Sequence, residues 1–132
     1  MRLLDTNTIL RYLLHDNEQQ RSATVDAIME GASTTTEVLA EVAYVLSSVY
    51  KVSRADISWA LHCVILDVKV ENLKSVRYAL GLFNQTNLDF VDCLLVAYHK
   101  VLGLDVMSFD KKLNSCLEKD FEIYQVEQIP EI

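Results

Sequence analysis

Three glycines and one proline in 132 residues (Gly31, Gly81, Gly103 and Pro130) leave few places where this chain can turn sharply. Tight hairpins and Greek-key corners draw on Gly and Pro, so a turn-dense β-sandwich is disfavoured, as are a collagen-like chain and a Gly-rich phosphate loop. Helices must supply most of the fold. With 51% of its residues apolar, a chain of this length can bury a real core without a disulfide or a structural metal.

Hydrophobic period divides the chain into helices and short strands. Residues 2–5 read as a short buried strand and 8–14 as a helix following it directly. Residues 18–30 read as a helix closed by Gly31, the residue that best accepts a left-handed C-terminal cap. The β-branched run 34–36 suits a brief strand. Val38, Leu39, Val42, Val45, Leu46 and Val49 make one apolar stripe on a helix over 37–50. Ser53 to Asp56 is a capping-box pattern opening a second helix, with Ile57, Leu61, Val64, Ile65 and Val68 continuing its stripe. Beyond that hairpin, 68–70 suits a strand, and Asn72 caps a helix carrying Leu73, Val76, Leu80 and Phe83. A loop at 86–88 leads into an apolar helix over 89–102 that stops at Gly103. Residues 105–109 read as a strand, 111–117 as a helix and 121–126 as a last strand. The alternation implies an α/β fold, a parallel sheet covered by helices, in one domain over residues 1–132.

The net charge is −7 and no Lys/Arg run exceeds the pair Lys111-Lys112, so the chain lacks the footprint of a non-specific nucleic-acid or membrane binder. Any nucleic acid bound here needs help from a cation. The longest apolar run, residues 93–98, is far below the roughly 18–20 residues that span a bilayer, and the N-terminus has no secretory pattern. Cys63, Cys93 and Cys116 form an odd set without a C-x-x-C pair. A soluble protein of the reducing cytoplasm, without zinc, is the expectation.

In an open α/β sheet, ligands bind beyond the carboxyl ends of the strands. Asp5 and Asp110 stand at such ends, where an aspartate also serves as an ordinary helix N-cap. Glu41 flanks the apolar stripe of its helix with no Lys or Arg three or four residues away, and also suits a solvated edge. Asp89 and Asp92 open an apolar helix, where an N-cap and a favourable first-turn acid are equally natural. Asp5, Glu41, Asp92 and Asp110 amount to four units of charge against a net of −7, and gathered in one cleft they repel one another. Raised pKa values or hard cations must then compensate. An all-carboxylate set without His or Cys fits Mg²⁺ or Mn²⁺ rather than Zn²⁺, and such a cation suits phosphodiester hydrolysis.

Four blocks then carry a resemblance over almost the whole chain: Leu3-Leu4-Asp5-Thr6-Asn7, residues 38–46 around Glu41, residues 88–97 around Asp89 and Asp92, and Ser108-Phe109-Asp110 with Lys111, Lys112 and Leu113. In this order the chain resembles the PIN-domain nucleases, and among them the VapC-like toxins of toxin-antitoxin pairs. The resemblance implies a PIN-like three-layer sandwich with a short central parallel sheet flanked by helices. It implies a Mg²⁺- or Mn²⁺-dependent endoribonuclease with Asp5, Glu41, Asp92 and Asp110 as catalytic acids and Asp5, Asp92 and Asp110 on the metal. Asn7, Asp89 and Ser108 would support them, Ser108 keeping the hydroxyl where a Thr is common. RNA as substrate, a homodimer and a cognate antitoxin that blocks the cleft follow from the same likeness.

Other classes compete. A phospho-accepting receiver domain shares the length and alternation, but needs adjacent acids after its first strand, where this chain has Asp5 alone. A catalytically silent binding module is the other rival, and retention of all four acids weighs against it. His15, His62 and His99 share no metal-ligand spacing. Arg11 suits a phosphate contact or an ordinary exposed helix position. Tyr44, Tyr50 and Trp59, in the helical hairpin, suit core packing or a dimer face.

Overall fold

A computed structural model describes residues 1–123, which divide into two compact units, residues 1–73 and residues from 74 onward. In the first unit, β1 (Arg2–Leu3) runs into α1 (Thr6–Leu14), α2 (Glu18–Glu30) returns to β2 (Ala32–Ser33), and α3 (Thr36–Ser48) and α4 (Arg54–Asp67) follow. β1 and β2 are parallel, with Arg2 opposite Ala32 and Leu3 opposite Ser33. The buried Thr34 hydroxyl extends the pairing by donating to the Leu4 carbonyl at 3.1 Å. Each helix starts on a side chain of the expected kind. Asp5, Asn17, Thr35 and Ser53 each accept a backbone N–H three residues on, which satisfies donors that a helix N-terminus leaves unpaired. Ile9, Leu39, Val42, Ile57, Leu61 and Val64 are sealed from water and form the centre of this unit's core.

The second unit holds α5 (Leu73–Gln85) from its second residue on, α6 (Phe90–Leu102) and α7 (Lys111–Glu118). Phe83 and Phe90 meet edge to face with ring centroids 5.9 Å apart. α6 ends at Gly103, whose φ of 71° is a left-handed cap that a side chain would strain. No helix among the described residues is long and apolar enough to cross a membrane.

Helix positions follow the sequence reading within one or two residues, whereas the strands diverge from it. Residues 34–36 are not a strand: Thr35 turns the chain into α3 by capping it, and the strand lies just before, at Ala32–Ser33. The expected strand at 68–70 is reduced to one parallel bridge, Ser33 with Lys69. Residues 105–109 form no strand, because a strand is defined by its pairing and no described ladder includes them. Of the expected strand at 121–126, residues 121–123 are irregular and the rest lie outside the described residues. Asn72 has φ 54°, a left-handed conformation unlike the extended one an N-cap adopts, so it is not the cap of α5. The hairpin aromatics are not core: Tyr44 is 70% and Trp59 73% exposed, because both point away from the buried stripes of their helices.

Gly81 shows what close packing asks of α5. A Cβ added there would stand 2.5 Å from the Cγ2 methyl of Ile123, whose β-branched side chain has restricted χ1 freedom to give way. Alanine gains about 1 kcal/mol of helix propensity over glycine, while overpacking costs about 1–3 kcal/mol. Gly81→Ala is therefore expected to lower the midpoint of a urea or thermal melt, and Gly81→Ala with Ile123→Ala to recover most of the loss.

Candidate functional site

The acids singled out by the sequence fall on both units. In the first, Asp5 is the N-cap of α1, its Oδ1 accepting the Thr8 N–H at 2.9 Å. The hydroxyl of Thr8, followed by its backbone N–H, stabilises the charged form and holds the Asp5 carboxyl below the ordinary carboxylate range. Asn7 is exposed in the first turn of α1. Glu41 is exposed on α3, as a solvated edge position would be. α1, which begins at Asp5, packs against α3, which carries Glu41.

In the second unit, Asp110 caps α7 through Oδ1 and the Leu113 N–H at 2.8 Å. Ser108 braces it: its hydroxyl accepts the Asp110 N–H at 3.0 Å, and its carbonyl accepts the Asn114 side-chain amide at 2.8 Å. The supporting hydroxyl thus sets the backbone that carries the acid. Asp89 occupies the N-cap position of α6 but makes no side-chain capping bond, so the expected cap is absent and its carboxylate is uncommitted there. Asp92, in the first turn of α6, is half-buried. Burial first, and then the negative charges of Asp89 and Asp110, push its pKa up, and Lys112 offsets this only in part.

Three of the expected acids therefore share one electrostatic neighbourhood, Asp92 with Asp89 and Asp110. Among the described residues no group of three or more His, Cys, Asp or Glu side chains is arranged to hold a metal ion. The chemistry of the donor set still fits a hard divalent cation: it is all oxygen, and its negative charge exceeds what one lysine balances. Lys112 was passed over in the sequence, where it reads as half of a surface pair. Its Nζ donates to the Asn87 carbonyl at 2.8 Å, tying the start of α7 to the loop before α6. Its place two residues after Asp110, the cap of α7, was the available signal.

The remaining residues divide. His62 and His99 bond through Nδ1 to the carbonyls of Ser58 and Leu104, a packing role. Arg11 is no ordinary exposed arginine: its side chain is 17% exposed and pairs with Asp16 at 2.6 Å.

The two shifted acids act on stability in opposite directions. Asp5, with its pKa lowered on folding, contributes stability above its unfolded pKa that is lost as pH falls through the folded value. Asp92, raised on folding, binds its proton more tightly in the native state, so stability declines as pH rises from the ordinary carboxylate range through the raised value. In metal-free protein, Asp92→Asn is expected to flatten that decline and leave the melting temperature unchanged or higher at neutral pH. A residue that acted only as a helix-start acid would instead lose a few tenths to about 1 kcal/mol on substitution. Thermal melts of both proteins across acidic to neutral pH distinguish the two.

A family model described as PIN domain matches residues 2–116. A VapC ribonuclease of Aquifex aeolicus (strain VF5) is 28% identical over 135 residues, spanning 95% of this chain and 98% of that protein. No solved structure gives a significant match.

Proposed function

The chain belongs to the PIN-domain family, and from that premise we infer that it is an endoribonuclease that hydrolyses RNA phosphodiester bonds, the toxin of a toxin-antitoxin pair. The observation that carries this reading is the carboxylate neighbourhood around Asp92, where negative charge accumulates beyond what Lys112 offsets. The similarity to a VapC ribonuclease over nearly the full length of both chains supports the substrate class.

We assign Asp5, Asp92 and Asp110 to a divalent cation, Mg²⁺ or Mn²⁺, and Glu41 as the fourth catalytic acid. Such a cation lowers the pKa of a bound water and stabilises charge on the attacked phosphate and the leaving oxygen. The chain's own contribution is to hold the acids ready. The cap bonds fix one oxygen each of Asp5 and Asp110, Ser108 sets the Asp110 backbone, and Lys112 anchors α7 beside Asp92. Asn7 and Asp89 are polar groups available to orient ligands or water. The enzyme works as a single nuclease domain over residues 1–132 in the cytoplasm.

Regulation follows from the same charge. An undercompensated carboxylate pocket is a receptor for a guanidinium, which binds carboxylates bidentately and competes with the cation. The cognate antitoxin is therefore expected to present an Arg or Lys from a flexible segment that orders on binding. The exposed Tyr44, Tyr50 and Trp59 supply the apolar face of a homodimer.

Partner-free protein is expected to cut RNA in Mg²⁺ or Mn²⁺ and to stop with EDTA; cleavage indifferent to EDTA would sink the metal mechanism. Asp5→Asn and Asp92→Asn should each lower the cleavage rate by about 100-fold or more while the protein stays folded. Trp59→Asp should shift the protein from dimer to monomer in light scattering, whether or not metal is present.

A further inference from the structure

On α1, Asn7 and Arg11 stand four residues apart and so share a face. Both line a cavity of about 390 Å³ that Arg2 borders from β1 and Gln20 and Thr24 from α2. That volume lies within the range of ligand pockets, about 300–1,000 Å³. Its lining among the described residues contains two arginines and no carboxylate, in a chain whose net charge is −7. Basic lining is therefore concentrated here against the overall charge of the protein.

Arg11 is the informative member. Its Nη1 is engaged by Asp16, yet its Nε is sealed from water and has no hydrogen-bond acceptor among the described residues. Asp16 and Tyr50 engage only part of the five-donor fork of Arg11, and such a planar fork suits a tetrahedral oxyanion. The neutral donors Asn7 and Gln20 add specificity for such a group without adding charge. Thr8, which also lines the cavity, is the residue whose N–H meets Asp5, so the cavity adjoins the loop of a proposed metal ligand.

We propose that this cavity is a phosphate subsite that takes a backbone phosphate of the RNA strand other than the one being cut, with Arg2 and Arg11 as its cations and Asn7 and Gln20 as its neutral donors. The proposal rests on the ribonuclease reading and deepens it by locating where an acidic protein grips a polyanion. Asp16 and the contact with Tyr50 hold Arg11 in position for the strand.

The test uses a short fluorescein-labelled single-stranded RNA of mixed sequence in Mg²⁺, with anisotropy read before cleavage and the cleavage kinetics read afterwards. Gln20→Glu adds a negative charge at an exposed position in the first turn of α2, where an acid suits the helix, and leaves the Arg11 pair untouched. Arg2→Gln removes an exposed cation. Each is expected to weaken RNA binding by about tenfold, and Arg2→Gln to reduce the slope of log affinity against log salt by about 0.7. KM should rise while kcat holds. Arg11→Gln should do the same, and the other two variants keep the test decisive if it fails to fold.

RNA affinity and salt slope unchanged in both Gln20→Glu and Arg2→Gln would overturn the subsite. So would a cavity that takes inorganic phosphate, weakened by Gln20→Glu, while RNA affinity stays constant. RNA binding that depends on these residues without any cleavage would keep the subsite and remove the nuclease reading. Cleavage by all variants at wild-type KM would do the reverse.

Discussion

Among the described residues, two helices are capped by an aspartate side chain, and the hydrogen bond that starts each helix also fixes a carboxylate. The Oδ1 of Asp5 meets the Thr8 N–H and that of Asp110 meets the Leu113 N–H, so neither group swings freely. A helix N-terminus leaves backbone donors unsatisfied, and an aspartate cap repairs this with one oxygen. The second oxygen is not needed for the cap. Capping and metal binding are thus compatible uses of one side chain, and the choice between them posed by the sequence is a false one. Fold and proposed chemistry depend on the same two bonds.

Asp92 obeys a different balance. An acid in the first turn of a helix ordinarily gains about 0.3–1 kcal/mol from the helix dipole. Here burial and then the charges of Asp89 and Asp110 push its pKa up, and Lys112 opposes them only in part. Lys112 alone therefore does not settle the charge. On the proposed function, that uncompensated charge is what a divalent cation would neutralise and what an inhibitory guanidinium would exploit.

The helices were legible because their signals are local. Period, caps and the glycine at 103 reside within a few residues of one another, and α2 was read at both ends. The strands were not, because pairing is a distant event. Thr34, Thr35 and Thr36 have strand-like side chains, yet Thr35 spends its hydroxyl on the Val38 N–H and converts the run into a helix start. Residues 105–109 read as a strand but belong to no described ladder. Among site residues, Asp5, Asp92 and Asp110 stood out through their places at segment ends. Lys112 did not, since its anchor lies 25 residues away at Asn87. Nor does a helical stripe say what covers the opposite face, so Tyr44 and Trp59 could be placed on helices but not in or out of the core.

α1 concentrates these influences in one short element. Its cap is an acid held in the charged form, its first turn presents Asn7, and one turn further Arg11 turns toward Asp16. Negative and positive groups so arranged along one helix suit a ligand that is itself anionic but is bound partly through a cation. On the proposed function, the acidic end would attract the cation and the arginine end would attract phosphate directly. A uniformly basic surface would bind RNA anywhere and depend on salt for release. On the proposed subsite, a cavity lined by two arginines and no carboxylate in a chain with net charge −7 would favour a strand that can satisfy both ends at once. Selectivity then arises from unfavourable charge elsewhere as much as from favourable contacts at the site.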